Sequence, residues 1–209
     1  MTPLQLLRGL GDVLVASPRF LLAPAFRGRH LRWGASDAEV AGAMPGDELV
    51  PDPSFDATRA ISIGASPDAV WPWLVQIGYG RAGWYSFDLL DNGGRPSAET
   101  ILPELQDPKV GDWVPMAARV DERTAFRIRA FEPGSWMLWE KPGSTWAWRL
   151  TPLPDARTRL VARLRAAYDW SNPGSAILSL VLLELGDFAM MRRQLEGIRS
   201  RAERGRARR

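Results

Sequence analysis

Apolar side chains recur at Ile177, Val181, Phe188, Met191, Leu195 and Ile198, spaced by fours and threes, and Glu184 falls in the same series. That spacing predicts one buried face of a long helix running from Gly174 to about Glu203. A carboxylate on such a face is costly without a partner, and burial raises its pKa. Glu184 is therefore the sharpest candidate for chemistry. It would polarise a ligand carbonyl or serve as general acid or base. The competing reading is a salt bridge to an arginine on a neighbouring strand. Asp88 is the second candidate. It follows Trp84, Tyr85 and Phe87, a rim-like aromatic run, and would orient a ligand hydroxyl. Its competing role is to cap a short helix through Leu89 and Leu90. Asp91 and Asn92 read as turn or cap residues.

The chain has ten tryptophans among 209 residues. Large aromatics bury roughly 150–250 Å² each, more bulk than one small core needs. Trp84, Trp113, Trp136, Trp139, Trp146 and Trp148 are candidate walls of an apolar cavity, with Tyr85 and Tyr168 adding hydroxyls. Phe188 and Met191, from the helical stripe, complete the candidate ligand-binding set. Apolar pockets with a few polar groups are the usual small-molecule sites.

Other chemistry is excluded by composition. There is no cysteine, and His30 is the sole histidine. Disulfides and thiolate metal sites have no residues to use, a histidine-based metal site lacks partners for His30, and triads or dyads that use His or Cys are nearly excluded. No metal and no cofactor are expected. Gly78-Tyr-Gly-Arg-Ala-Gly83 matches a dinucleotide-binding pattern, but that pattern must follow a strand and open a helix. Here it follows a helix, so it reads as a helix end and a loop at the pocket mouth.

Charge is uneven. Residues 1–33 carry five Arg and one Asp, residues 190–209 eight Arg and two Glu, and the whole chain +3, which leaves −7 on residues 34–189. Basic ends suit a solvated tail or weak contact with an anionic membrane surface. Leu4, Leu7, Leu10 and Leu14 give the first segment an apolar helical face. Val13 to Phe26 is apolar but interrupted by Pro18, Arg19 and Pro24, and no run reaches the ~18 apolar residues of a membrane span. A cytoplasmic protein, membrane-peripheral at most, is expected. Arg127, Arg129, Arg163 and Arg165 alternate along two strand candidates without interleaved aromatics, so a solvated sheet face is expected and no nucleic-acid partner.

The elements that must position the candidates follow from periodicity and turn chemistry. Residues 1–56 read as an N-terminal extension and surface strap, 57–203 as the ligand-binding domain, and 204–209 as a basic tail. Thr58–Ile63 alternates as a strand. Ser66-Pro67 opens a helix that Gly78 ends. Strands follow at Trp113–Val120, Ala125–Phe131, Ser135–Glu140, Thr145–Leu150 and Thr158–Asp169, with Pro133-Gly134 and Pro142-Gly143 as hairpin turns. Phe126, Ile128 and Ala130 share one face. The expected class is α+β.

The order strand, helix, hairpin-linked strands, long helix resembles the helix-grip fold of the START-like, or SRPBCC, superfamily. The wording of His30–Val40, Met44–Leu49, Ala69–Gly78, Gly83–Asp88, Ile101–Glu104 and Val110–Asp112, with Asp187–Arg193 and Gly197–Arg199 in the last helix, is similar to an actinobacterial-type subfamily. The resemblance covers roughly residues 30–203. It implies a curved antiparallel sheet wrapped around the C-terminal helix and a cavity for a small hydrophobic ligand, polyketide-, isoprenoid- or lipid-like. It specifies no reaction. Two rival functions stay open. One is a cyclase- or dehydratase-type enzyme that uses a pocket carboxylate, and the other is a peripheral membrane or interaction protein.

Overall fold

The computed structural model describes residues 2–21 and 26–207. Part of the interrupted apolar stretch, including Pro24, lies outside them. Helix α1 spans Pro3–Leu21, α2 Arg27–His30 and α3 Asp37–Ala41. Strand β1 (Phe55–Ile63) leads into α4 (Pro67–Val75) and, after a loop, α5 (Asp88–Asp91). Five strands follow: β2 Trp113–Pro115, β3 Ala125–Glu132, β4 Trp136–Lys141, β5 Ser144–Leu153 and β6 Arg157–Ala166. The chain closes with α6 (Pro173–Val181), a π-helical segment (Leu182–Asp187) and α7 (Phe188–Ala207).

The strands form one antiparallel six-stranded sheet in the order β1-β6-β5-β4-β3-β2. Both Pro-Gly pairs turn hairpins, and Gly134 and Gly143 take the positive φ that such turns demand. One face of the sheet presents Ile61, Ile128, Trp139, Trp148 and Leu160 to α4 and to Met191, Leu195 and Ile198 of α7. This is the helix-grip architecture that the sequence resemblance implies. The register of β3 slips between Ile128 and Ala130. Beyond that bulge Phe131, not Ala130, packs on the core, a phase shift that strict alternation misses.

The outer sheet face is covered over β1, β6 and β5, contrary to expectation, and stays solvated at β3. The strap of residues 34–56 lies across it. Met44 packs on Leu138, Ala147 and Val161. Arg163 is buried and donates to Asp47, to Thr58 and to the carbonyls of Glu39, Val40 and Gly42. Arg159 forks onto Glu39, whose pKa falls to about 2 chiefly through that hydrogen bond. Arginines on the outer face of β6 thus fasten an acidic strap. Arg127 and Arg129 stay exposed.

The C-terminal helix also departs from expectation. It runs continuously, but the π-helical turn delays the chain by part of a turn and rotates everything upstream of it. Downstream, Leu195 and Ile198 are 0% exposed, whereas upstream Ile177 is 54% and Val181 42% exposed. The stripe is one line in sequence and two faces in space.

Candidate functional site

Between the sheet's inner face, the 84–91 segment and the π-helical wall lies a cavity of about 470 Å³. Its walls include Trp84, Phe126, Trp146, Leu164, Leu183 and Met191. Each element supplies a side chain for a local reason. Trp146 and Leu164 alternate inward on paired strands, at Trp146↔Leu164 in the register. Met191 belongs to the buried face of α7. Trp84 stands just after Gly83, whose backbone has φ +78, a conformation that glycine adopts freely.

The indoles form a stack rather than a ring of wall panels. Trp84 stacks on Trp146 (5.5 Å, 13°) and Trp146 on Trp148 (5.2 Å, 22°), while Trp139 meets Trp146 and Trp148 edge-on at 5.5 and 5.3 Å. Trp84 and Trp146 reach the cavity. Trp139 and Trp148 lie behind them, filled in by the sheet, and are core residues rather than wall.

The remaining sequence candidates lie elsewhere among the described residues. Trp136 sits on the outer face and donates its indole N–H to Glu132 at 3.1 Å. Trp113 lies on the short edge strand under the Arg127 guanidinium, 3.5 Å from the ring centre. Tyr85 turns away at φ 57, packs edge-on against Trp73, and its hydroxyl accepts from Gln76 at 2.8 Å. Asp88 accepts from the backbone N–H and the hydroxyl of Ser97 and so braces the 92–97 loop. Phe188 stacks on His30, 3.7 Å between centroids.

Glu184 does not face the cavity. Arg27 Nε donates to both its oxygens, at 3.0 and 2.8 Å, and the Tyr168 hydroxyl approaches Oε1 at 3.5 Å. The pairing is a salt bridge, but to the N-terminal extension rather than to the sheet. The buried arginine on the sheet's inner face, Arg59, pairs instead with Asp187 at the end of the π-helical segment. One added residue in the turn exchanges which carboxylate meets the sheet.

The cavity's polar groups are ones that sequence reading passed over. Asp91, read as a turn residue, lines the cavity and is only 7% exposed. Neither of its carboxylate oxygens has a hydrogen-bond partner. Desolvation, then the neighbouring Asp88 charge, push its pKa up to about 7; the Ser86 hydroxyl and nearby backbone N–H groups, close by but outside hydrogen-bond geometry, offset only part of this. The Ser86 hydroxyl itself donates to the Met190 carbonyl. The Gln194 Nε2 amide and the indole N–H groups of Trp84 and Trp146 are likewise buried without acceptors. Lys141 reaches the rim, donates to the Arg123 carbonyl at 3.3 Å and lies over Phe126. Burial lowers its pKa.

A carboxyl poised near neutrality can hold or release a proton at working pH, and three N–H donors beside it can hold an oxygen. Gln194 was legible, because it lies three residues after Met191 and four before Ile198, inside the buried stripe. Asp91 was not, because its burial comes from long-range packing, with α1 against α5 and Phe87 between Ala16 and Ala189.

No family model matches the sequence, and no curated protein does. Several solved structures follow a similar chain path. A polyketide-cyclase-like protein from Corynebacterium glutamicum is 16% identical, with 69% of this chain and 88% of that one covered and a TM-score of 0.43. A Bacillus halodurans protein is 13% identical over 72% of this chain and 99% of that one, at TM-score 0.44. An aromatase/cyclase of a Streptomyces species is 14% identical over 72% and 94%, at TM-score 0.41. At these levels the likeness concerns the course of the chain alone.

Proposed function

We propose that the chain is a binding module that takes up a small apolar or aromatic molecule, polyketide-, isoprenoid- or lipid-like, in this cavity. The observation that carries the reading is the cavity itself: about 470 Å³, walled mainly by apolar side chains, with a few buried polar atoms left unpaired. Affinity comes from removing the ligand's apolar surface from water, and the polar atoms fix its orientation. N-phenyl-1-naphthylamine, an uncharged dye that brightens in apolar surroundings, tests this directly. We expect saturable brightening with the wild-type protein. Ala166 lies on the inner face of β6 and lines the cavity, so Ala166→Trp fills it and weakens dye binding by about tenfold or more. A wild-type protein that leaves the dye dark, or an Ala166→Trp variant that binds it equally well, sinks the proposal.

A second reading, membrane contact, is favoured by one surface. Leu7, Leu14 and Val15 of α1 and Ile177, Leu178 and Leu182 of α6 and its continuation are exposed, as is Trp170. Helix α1 packs against the π-helical segment that continues α6. Arg8 on α1 and Arg29 on α2 add positive charge, while Arg27 is paired with Glu184 and Arg32 with Asp37. Exposed leucines with basic neighbours suit the interface of an anionic bilayer. No helix among the described residues is long and apolar enough to cross a membrane. The reading expects co-sedimentation with phosphatidylserine-containing vesicles that weakens as salt rises, and loss of it in Leu14→Glu/Leu178→Glu. Vesicle binding that ignores both salt and these substitutions would remove it.

A further inference from the structure

The cavity's unpaired atoms specify more than an apolar guest. Asp91 has two acceptor oxygens, and Gln194, Trp84 and Trp146 have N–H donors; all belong to wall residues, are unmatched by the protein and are sealed from water, so small side-chain rotations must turn them to a guest. A buried polar group without a partner is expensive, so a ligand that supplies the partner binds preferentially.

The fixed charges narrow the class. Asp187, which also borders the cavity, is already paired with Arg59. Lys141 stands at the rim and has no ion pair among the described residues. It opposes a cationic guest, and an amine would also leave three donors unmatched. An anionic guest would face Asp91. What remains is an uncharged molecule with one donor for Asp91 and one oxygen for the amide and indole N–H groups.

We infer that Asp91 is the polar anchor of the cavity and that it selects uncharged apolar ligands bearing a hydroxyl group, which donates to its carboxylate while a ligand oxygen accepts from Gln194 or an indole. This rests on the ligand-binding reading above and deepens it. The hydroxyl-to-carboxylate bond is charge-assisted, so binding of a hydroxyl ligand strengthens as Asp91 ionises, with rising pH. The ionisable groups around it are Asp88, held by Ser97; Asp12 and Arg193, paired with each other on α1 and α7; Asp187, paired with Arg59; and Lys141.

The test is displacement of N-phenyl-1-naphthylamine by 2-naphthol and by its methyl ether, 2-methoxynaphthalene, which has the same rings but no donor. Wild-type protein should prefer the naphthol by about tenfold at pH 8, the discrimination expected of one hydrogen bond to a charged group. The preference should shrink toward pH 6. Asp91→Leu should bring the naphthol-to-ether ratio near one; the ratio is the readout rather than the dye's own affinity, because the dye's N–H can also donate to Asp91. Asp91→Asn keeps an acceptor oxygen but cannot ionise, so it should retain part of the preference and lose its pH dependence. Lys141→Met should retain the rise with pH. Equal competition by naphthol and ether in the wild type overturns the inference and leaves the cavity reading standing. So does an Asp91→Leu ratio that matches wild type. Failure of the dye itself to bind overturns both.

Discussion

At pH 8 the Asp91→Asn protein unfolds at higher urea than wild type, with a gain of about 2–4 kcal/mol that shrinks as pH falls and is nearly gone by about pH 4. The sign follows from the direction of the shift. Desolvation raises the Asp91 pKa from the ordinary 3.8 to about 7 in the folded chain. Between those values the folded state keeps a proton that the unfolded state has released. The unfolded state binds fewer protons, so wild-type stability falls as pH rises through this window and levels off above about 7. Asparagine fills nearly the same space, carries no charge and feels none of this. Urea transitions at pH 4, 5.5 and 8, read as midpoint and slope, measure the difference. If the variant is less stable than wild type at pH 8, then Asp91 has a stabilising partner and is not held at a cost. A costly, unpartnered carboxylate in a cavity wall is the arrangement expected of a group retained for a ligand rather than for folding.

The parts of the fold that local chemistry writes were legible. Pro133-Gly134 and Pro142-Gly143 marked both turns, and the alternation of Trp146, Trp148 and Leu150 with polar neighbours placed β5 and its inner face. Features set by long-range packing were not. Arg163 and Arg165 look like a solvated face until the strap, with Asp47 and Glu39, is laid over them. The excess of acid in the body of the chain was visible, but its destination was not. The π-helical turn left no mark, because Ile177, Val181 and Glu184 fit an unbroken α-helix as well as they fit the observed one. That single turn moved Glu184 out to Arg27 and brought Asp187 in. The search for a carboxylate on the helical stripe therefore points to a residue outside the wall of this cavity. Trp84, Trp146 and Met191, candidates from the sequence, lie in the wall of this cavity, whereas the burial of Asp91 depends on α1 meeting α5 and on Phe87 packing between Ala16 and Ala189.

The pairing that the π-helical turn creates carries the second large effect. Arg59 is 2% exposed on the central part of β1, with Nε donating to the His30 carbonyl and Nη1 to Asp187. Removing the carboxylate in Asp187→Ala leaves a guanidinium buried with its charge uncompensated, which costs about 3–5 kcal/mol. The cost is the stranded charge rather than the worth of the bridge. Replacing both partners with apolar side chains, Arg59→Met with Asp187→Leu, should therefore recover most of the loss. A double-mutant cycle by urea denaturation separates the two explanations, because the coupling is large only if each single change strands its partner. Asp187 also borders the cavity, so Asp187→Ala should loosen the wall that holds Gly186 and Leu183 and weaken dye binding, while the double variant restores it. A single variant as stable as wild type would mean that water reaches Arg59 freely, and the π-helical turn would then have no part in closing the cavity against the sheet.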